Sequence, residues 1–332
     1  MSQPTYQVIG IGNAIVDVMA PCADTLIAEL GLERGGMTLV DTARAQELYD
    51  AMGPAREISG GSAANTLAGL AALGSRCAFI GQVADDQLGE VFAHDVRAGG
   101  ISFATPVRAG DPPTARCLIF VSPDGQRTMN TYLGASQFLP ASALDEAVIA
   151  DAEVLYLEGY LWDPEEPRAA MRRAIDAARG AGRKVAFTLS DAFVISRHGD
   201  DFRALIEAGL IDILFANHIE LAALTGLDDL HAGIAALTGK VPLVVVTRGA
   251  AGAVAASGGE LCEVPAQPVA QVVDTTGAGD LFAAGFLHGH VNRRDLHDCL
   301  TLGSICAAEI ISHYGARPEA DLRALTAQFS AK

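Results

Sequence analysis

The chain has 332 residues, half of them hydrophobic and 19% charged, a globular profile that excludes long intrinsic disorder. At about 150 residues per domain it accommodates two domains or one large α/β domain with an outgrowth. Its formal charge of −17, from 23 basic and 40 acidic residues, makes the average surface repel phosphate backbones and anionic lipid, so neither a nucleic acid nor a membrane is an expected partner.

The opening segment lacks a basic n-region and is interrupted by Asp17, and no stretch of about 20 predominantly apolar residues follows. Six cysteines include no CxxC pair and no histidine at zinc-finger spacing. A cytoplasmic protein with core thiols, rather than disulfides or a metal cage, is expected.

In chain order, Val8 to Gly12 reads as a first strand, and Ala14 to Met19 and Met37 to Val40 as two more. Ser62 to Leu73 reads as a helix of small residues opened by Gly60 and Gly61. Ala78 to Val83 is a strand running into a helix entered at Asp85 or Asp86. Ala115 to Val121 and Arg127 to Tyr132 flank Ser122-Pro123-Asp124-Gly125, whose turn chemistry predicts a hairpin. From Val154 the chain alternates short apolar runs (Val154 to Leu157, Val185 to Leu189, Ile213 to Phe215, Leu243 to Val246) with amphipathic stretches such as Pro164 to Arg179. That rhythm predicts a parallel sheet with helices on both faces, and ligands beyond the carboxyl ends of its strands. The hairpin and the two early strands predict a small β-sheet lid drawn from about residues 13–20, 36–41 and 102–133. No linker or repeat separates it from the main body.

Three places carry chemistry. In Asp274-Thr275-Thr276-Gly277-Ala278-Gly279-Asp280, small residues let successive amides converge, and the apolar run that follows adds a helix N-terminus, which together make an anion hole. Asp280 either complements the helix dipole or takes a proton from a hydroxyl attacking phosphorus. Gly60-Gly61-Ser62-Ala63-Ala64-Asn65 offers either a tight turn before a packed helix or amides and an Asn65 side chain for a polyhydroxylated substrate. Asp17, in an apolar run, either binds a sugar diol or faces solvent on an edge strand. Gly10-Ile11-Gly12 is no dinucleotide fingerprint, because Ile15 stands where the third glycine belongs, and no Gly-Lys-Ser/Thr occurs.

Together these segments resemble the ribokinase-like, or PfkB, family of carbohydrate and nucleoside kinases. Asp274 to Gly285 is similar to its C-terminal signature, and Gly60-Gly61 with Asn65, running into Ile80-Gly81-Gln82-Val83-Ala84-Asp85-Asp86-Gln87-Leu88-Gly89, is similar to its N-terminal one. The resemblance implies an α/β fold of three layers, α/β/α, with a mostly parallel central sheet and a small β lid, the whole chain forming one kinase domain. It implies ATP as phosphoryl donor, Asp280 as the base, and the backbone of Gly277, Ala278 and Gly279 as the stabiliser of the transferring group. Asn217 and Glu220 match the family's Asn-x-x-Glu element, which places Mg2+ and its waters; an Asn cap with Glu at the third helical position would look the same. Thr247, Gly249 and Gly252 match a nucleotide-contacting turn, and the helix with Cys306-Ala307-Ala308 would border the adenine. Backbone oxygens near Asp274 and Thr276 would hold K+.

Further segments are similar to the adenosine kinase branch of that family: Gly10 to Asp17, Asp124 to Arg127, Gly159 to Leu161, and Leu189 to Phe193. In that branch the residues matching Asn13 and Asp17 hold the ribose, apolar side chains near Leu161 and Phe193 enclose the purine, and the residue matching Arg127 approaches phosphate as the lid closes. The chain departs from the branch at Ser62-Ala63-Ala64-Asn65 and at Met37, where a polar contact would be expected. The reading is thus an ATP-dependent kinase for the primary 5′-type hydroxyl of a nucleoside, adenosine to AMP. The alternatives are a sugar kinase of the same family, for ribose, fructose or 2-keto-3-deoxygluconate, and a non-catalytic nucleoside or sugar sensor. Lids of this family leave the protein a monomer or pair it into a homodimer.

Overall fold

Along β1 (Tyr6–Ile11) of the computed structural model, which describes residues 4–327, Val8 joins the core on one face while Ile9 and Ile11 join the core on the other. A strand buried on both faces needs apolar residues at consecutive positions, which the short runs of this chain supply. The N-terminal half continues with β2 (Ile15–Pro21), β3 (Met37–Leu39), β4 (Arg56–Gly60), β5 (Cys77–Ile80), β6 (Ile101–Phe103), β7 (Ala115–Val121) and β8 (Arg127–Tyr132). The other half contributes β9 (Ala152–Glu158), β10 (Lys184–Thr188), β11 (Ile213–Asn217), β12 (Leu243–Thr247), β13 (Ala253–Ser257) and β14 (Glu260–Val264).

Nine of these form one sheet in the order β14-β13-β12-β11-β10-β9-β1-β5-β6, parallel from β12 through β6. β13 and β14 add an antiparallel meander at one edge. The helices Glu165–Gly180 and Ala192–Glu207 pack on one face, and Ser62–Ala72 and Ala278–Val291 on the other, giving the three-layer α/β/α arrangement expected. The last two helices approach through Gly69: a Cβ there would lie 2.6 Å from Leu281 Cδ1 and 2.7 Å from Ala284 Cβ.

The second sheet has the order β3-β8-β7-β2-β4 and contains the expected hairpin, β7 with β8. It departs from expectation at two places. Ile101–Phe103 pairs with β5 and so belongs to the main sheet, which moves the start of the outgrowth beyond residue 103. Arg56–Gly60 forms an additional edge strand against β2, with Asp17 opposite Ile58. Charged Arg56 and Glu57 at its exposed end suit an edge, where they discourage pairing with another chain, but they hide the strand from a search for apolar runs. The five-stranded sheet covers the end of the main sheet where β9 to β12 finish, so that both contribute to one cavity.

Candidate active site

A cavity of about 590 Å³ lies between the sheets. One wall is the glycine loop. Gly277 sits at φ 78°, in the left-handed region that favours glycine, and a Cβ on it would come within 2.8 Å of the Ala316 Cβ. The helix Ala278–Val291 starts immediately after, with Ala278 N donating to Thr275 O (3.2 Å) and Leu281 N to Gly277 O (2.8 Å), so the positive end of the helix lies at the cavity. Asp274 stiffens the loop from below: it accepts from Thr276 N (3.0 Å), Thr276 Oγ1 (2.8 Å) and Gly315 N (3.1 Å).

Asp280 lines the cavity one residue beyond Gly279. Its Oδ1 accepts from Ser62 Oγ at 2.7 Å and its Oδ2 from Asn65 Nδ2 at 3.0 Å, so the first turns of two helices meet on this carboxylate. Spacing of i and i+3 puts Ser62 and Asn65 on one helical face. Burial pushes the Asp280 carboxyl up, and the bonds from Ser62 and Asn65 together with the charge of Arg317 pull it back. Asp17, on the wall made by β2, is pushed up to about 6, again by burial, against the charges of Arg317 and Arg127. Gly60 leaves room for it, since a Cβ there would lie 2.7 Å from Asp17 Oδ2; Gly61, at φ 95°, would bring one within 2.2 Å of the Asn13 carbonyl oxygen.

Asn217 and Glu220 both line the cavity and form a capping box at the start of the helix His218–Thr225. The Glu220 oxygens accept from Asn217 N (2.9 Å) and Asn217 Nδ2 (2.6 Å), and burial raises this carboxyl to about 7. The tetrapeptide is thus a helix cap, and both of its polar side chains also line the cavity. Ser190, at φ 68°, holds a strained turn that delivers Asp191 to the same wall. A second cavity, of about 520 Å³, is lined by Gly249, Gly252, Val272, Ala307 and Ala308. It shares Thr247, Thr275, Ala278, Gly279 and Phe282 with the first, so the two meet at the glycine loop.

Four expected contacts lie elsewhere. Asn13 is buried and off the cavity wall: its Nδ2 and its backbone N both donate to Glu158 Oε1 at 2.7 Å, and its Oδ1 accepts from Ser136 Oγ at 2.8 Å. Leu161 is buried in the core, because the 3-10 turn after β9 directs Tyr160 rather than Leu161 into the cavity. Phe193 is 76% exposed, in the first turn of a helix capped by Asp191, and does not line the cavity. Arg127 pairs with Asp274 at 2.7 Å, side chains 6% and 9% exposed, and lies over the Tyr314 ring instead of facing the cavity. The apolar wall comes from Ile15, Met37, Ile119 and Met129 of the second sheet.

Glu158, Ser62 and Arg317 were not singled out from the sequence. Glu158, raised to about 7 by burial, also accepts from Ala63 N at 2.7 Å and so joins the loop after β1 to the helix Ser62–Ala72. An acid closing the apolar run Val154 to Leu157, at the carboxyl end of a parallel strand, is a signal that could have found it. Arg317 lies in irregular chain and carries no such signal.

The sequence profile of the pfkB family carbohydrate kinases matches residues 38–322. The chain belongs to this family. It is 31% identical over 246 residues to a fructokinase of Klebsiella pneumoniae, covering 73% of this chain and 80% of the relative. Its structure is similar to an adenosine kinase from Sinorhizobium meliloti, with 47% identity, TM-score 0.90 and coverage of 98% and 99% of the two chains. It is also similar to a probable sugar kinase from Rhizobium etli CFN 42, with 43% identity, TM-score 0.91 and 99% of both chains covered. The chain is therefore a pfkB family kinase, acting on a nucleoside or a sugar, and the family implies ATP with a metal ion. Among the described residues of this kinase no helix is long and apolar enough to cross a membrane.

The donor set fits a hard cation. Glu220 and Asn217 line the cavity and offer carboxylate and amide oxygens, the ligand type magnesium takes, and all three oxygens already accept hydrogen bonds within the cap. Such a pair would hold the ion through its waters.

Proposed function

We propose that this kinase transfers the γ-phosphoryl group of ATP to the primary 5′-hydroxyl of a nucleoside, converting adenosine to AMP. The observation that carries the reading is one cavity with Asp280 on the glycine-loop wall, Asp17 on the second-sheet wall, and apolar residues beside Asp17. Asp17 accepts hydrogen bonds from the ribose diol, and Ile15, Met37, Ile119 and Met129 pack against the base. Asp280 takes the proton of the 5′-hydroxyl as its oxygen attacks the γ-phosphorus and the bond to the ADP oxygen breaks. Burial, by raising the Asp280 carboxyl, makes it a better base, and Ser62 and Asn65 hold its orientation. The amides of Gly277, Ala278 and Gly279 meet charge on the transferring group. Magnesium, when held near Asn217 and Glu220, neutralises phosphate charge. The second cavity suits the nucleotide, between the Gly249–Gly252 turn and Ala307-Ala308.

The adenosine kinase at 47% identity over nearly the whole chain supports a nucleoside acceptor. The fructokinase and the probable sugar kinase favour a second reading, a sugar kinase. The deciding experiment is coupled ADP release with ATP, magnesium and potassium, comparing adenosine, inosine, guanosine, ribose, fructose and 2-keto-3-deoxygluconate against a blank without acceptor. Highest kcat/KM with adenosine is expected. Turnover confined to free sugars would keep the chemistry and remove the nucleoside.

A further inference from the structure

Arg317 belongs to a strap between the helices Leu296–Ile310 and Leu322–Thr326. The strap is pinned at both ends. Glu309 Oε1 accepts from the amides of Glu319 and Ala320, each at 2.9 Å, and lies 3.0 Å from His313 Nε2. Gly315 N donates to Asp274, and Ala316 abuts Gly277. From there the Arg317 guanidinium crosses to the opposite side of the site: Nε donates to Ser59 O (2.9 Å), Nη1 to Ala64 O (2.7 Å) and Nη2 to Ser59 Oγ (3.0 Å).

All three acceptors are neutral, and among the described residues no carboxylate forms an ion pair with this guanidinium. A cation removed from water without a charged partner is expensive, and here burial pulls the guanidinium down to about 10. What opposes that burial is the field of Asp17, Asp280 and Asp95. Asp95 already accepts from Ser59 N at 3.0 Å. Asp17 and Asp280 have a different problem, because each is desolvated and Asp280 further raises Asp17 by repulsion. Carboxylates that share a dry site cannot both stay charged without a cation nearby. Asp17 is also faced by Arg127 and Asp274, whose buried pair leaves little net charge, while Asp280 is faced by Ser62, Asn65 and Arg317. Tyr156 and Glu158 lie within the field of Asp280 as well.

We propose that Arg317 is a positioning residue: its charge keeps Asp17 and Asp280 ionised at the same time, while its guanidinium ties the start of the helix Ser62–Ala72 to the glycine loop. It acts without lining the cavity. The proposal rests on the reading of Asp280 as the base. A strut that only bridges carbonyls would matter equally at every pH; a counter-charge changes where the acids titrate.

The test is the pH profile of kcat/KM for the acceptor in wild type, Arg317→Gln and Arg317→Lys. In Arg317→Gln the ascending limb should move to higher pH by about one unit, so that kcat/KM falls about tenfold at pH values below the limb and acceptor KM rises while ATP KM is unchanged. Arg317→Lys should keep the limb at its wild-type position. Equal loss in both variants with an unmoved limb overturns the proposal. Where Arg317→Gln fails to fold, the double variant Asp17→Asn with Arg317→Gln decides: removing the uncompensated carboxylate restores folding if charge is the issue, and an unrestored fold overturns the proposal. Asp280→Asn separates the base from its counter-charge. If that variant turns over normally the base assignment fails, whereas an inactive Asp280→Asn with an unmoved limb in Arg317→Gln leaves the base standing and removes only the role of Arg317.

Discussion

Across the cavity a loop of glycine and alanine, with almost no side chain to offer, faces a sheet that lines the space with side chains. Gly277, Ala278 and Gly279 contribute amides fixed by a left-handed turn and a helix start, a geometry that tolerates few sequences. Ile15, Asp17, Met37, Ile119 and Met129 come from β2, β3, β7 and β8, and their positions require only an inward-facing residue of suitable size. In the proposed function the loop therefore carries the reaction and the sheet carries the choice of acceptor. One family can keep the first while changing the second, in keeping with similarity to both an adenosine kinase and a fructokinase.

That division can be broken most directly at Asp280. Asp280→Asn should lower kcat by about 10²- to 10⁴-fold with the fold intact, because Ser62 and Asn65 retain a partner of the same shape. Steady-state turnover beside a thermal melt checks this, and normal turnover would deny the loop its chemical part. The next effect belongs to the sheet. Asp17→Asn should raise acceptor KM about 10- to 100-fold and leave ATP KM alone, as the two cavities are separate on that side.

The same variant has a signed consequence for stability. Burial lifts Asp17 from 3.8 to about 6, so the folded chain holds this proton more tightly than the unfolded one. Stability falls as pH rises between those values, and the penalty is complete above the upper one. At pH 8 Asp17→Asn should melt above wild type, with the gap closing below pH 4; melts at both pH values test it. The smallest effect sharpens the comparison. Met129→Thr should change the ratio of kcat/KM between adenosine and a free sugar by about tenfold while kcat for the better acceptor stays within about threefold, since an apolar wall discriminates by only a few kcal/mol.

The same contrast explains what was legible in the sequence. Alternating apolar runs foretold the parallel sheet, and Ser122-Pro123-Asp124-Gly125 foretold the hairpin, because periodicity and turn chemistry are local. Asp17, Asp280, Asn217 and Glu220 all reach the cavity. Asn13 and Leu161 do not, for a reason no local pattern carries: a buried Glu158 claims the Asn13 amide, and one 3-10 turn exchanges Leu161 for Tyr160. Arg317 donates to Ser59 across a sequence separation of 258 residues, beyond anything spacing can reveal.

Gly69 has a consequence of its own. The helices bearing Asn65 and Asp280 pack there with Leu281 and Ala284 directly against the bare glycine, so the missing methyl works as a gauge that sets how far apart the two partners of the 3.0 Å bond can stand. Widening that gauge by one carbon would reach the chemistry through rigid helices, a turn away from any reacting atom. With Asp280 as the proposed base, a residue that contributes nothing except its smallness would thus help to set the rate.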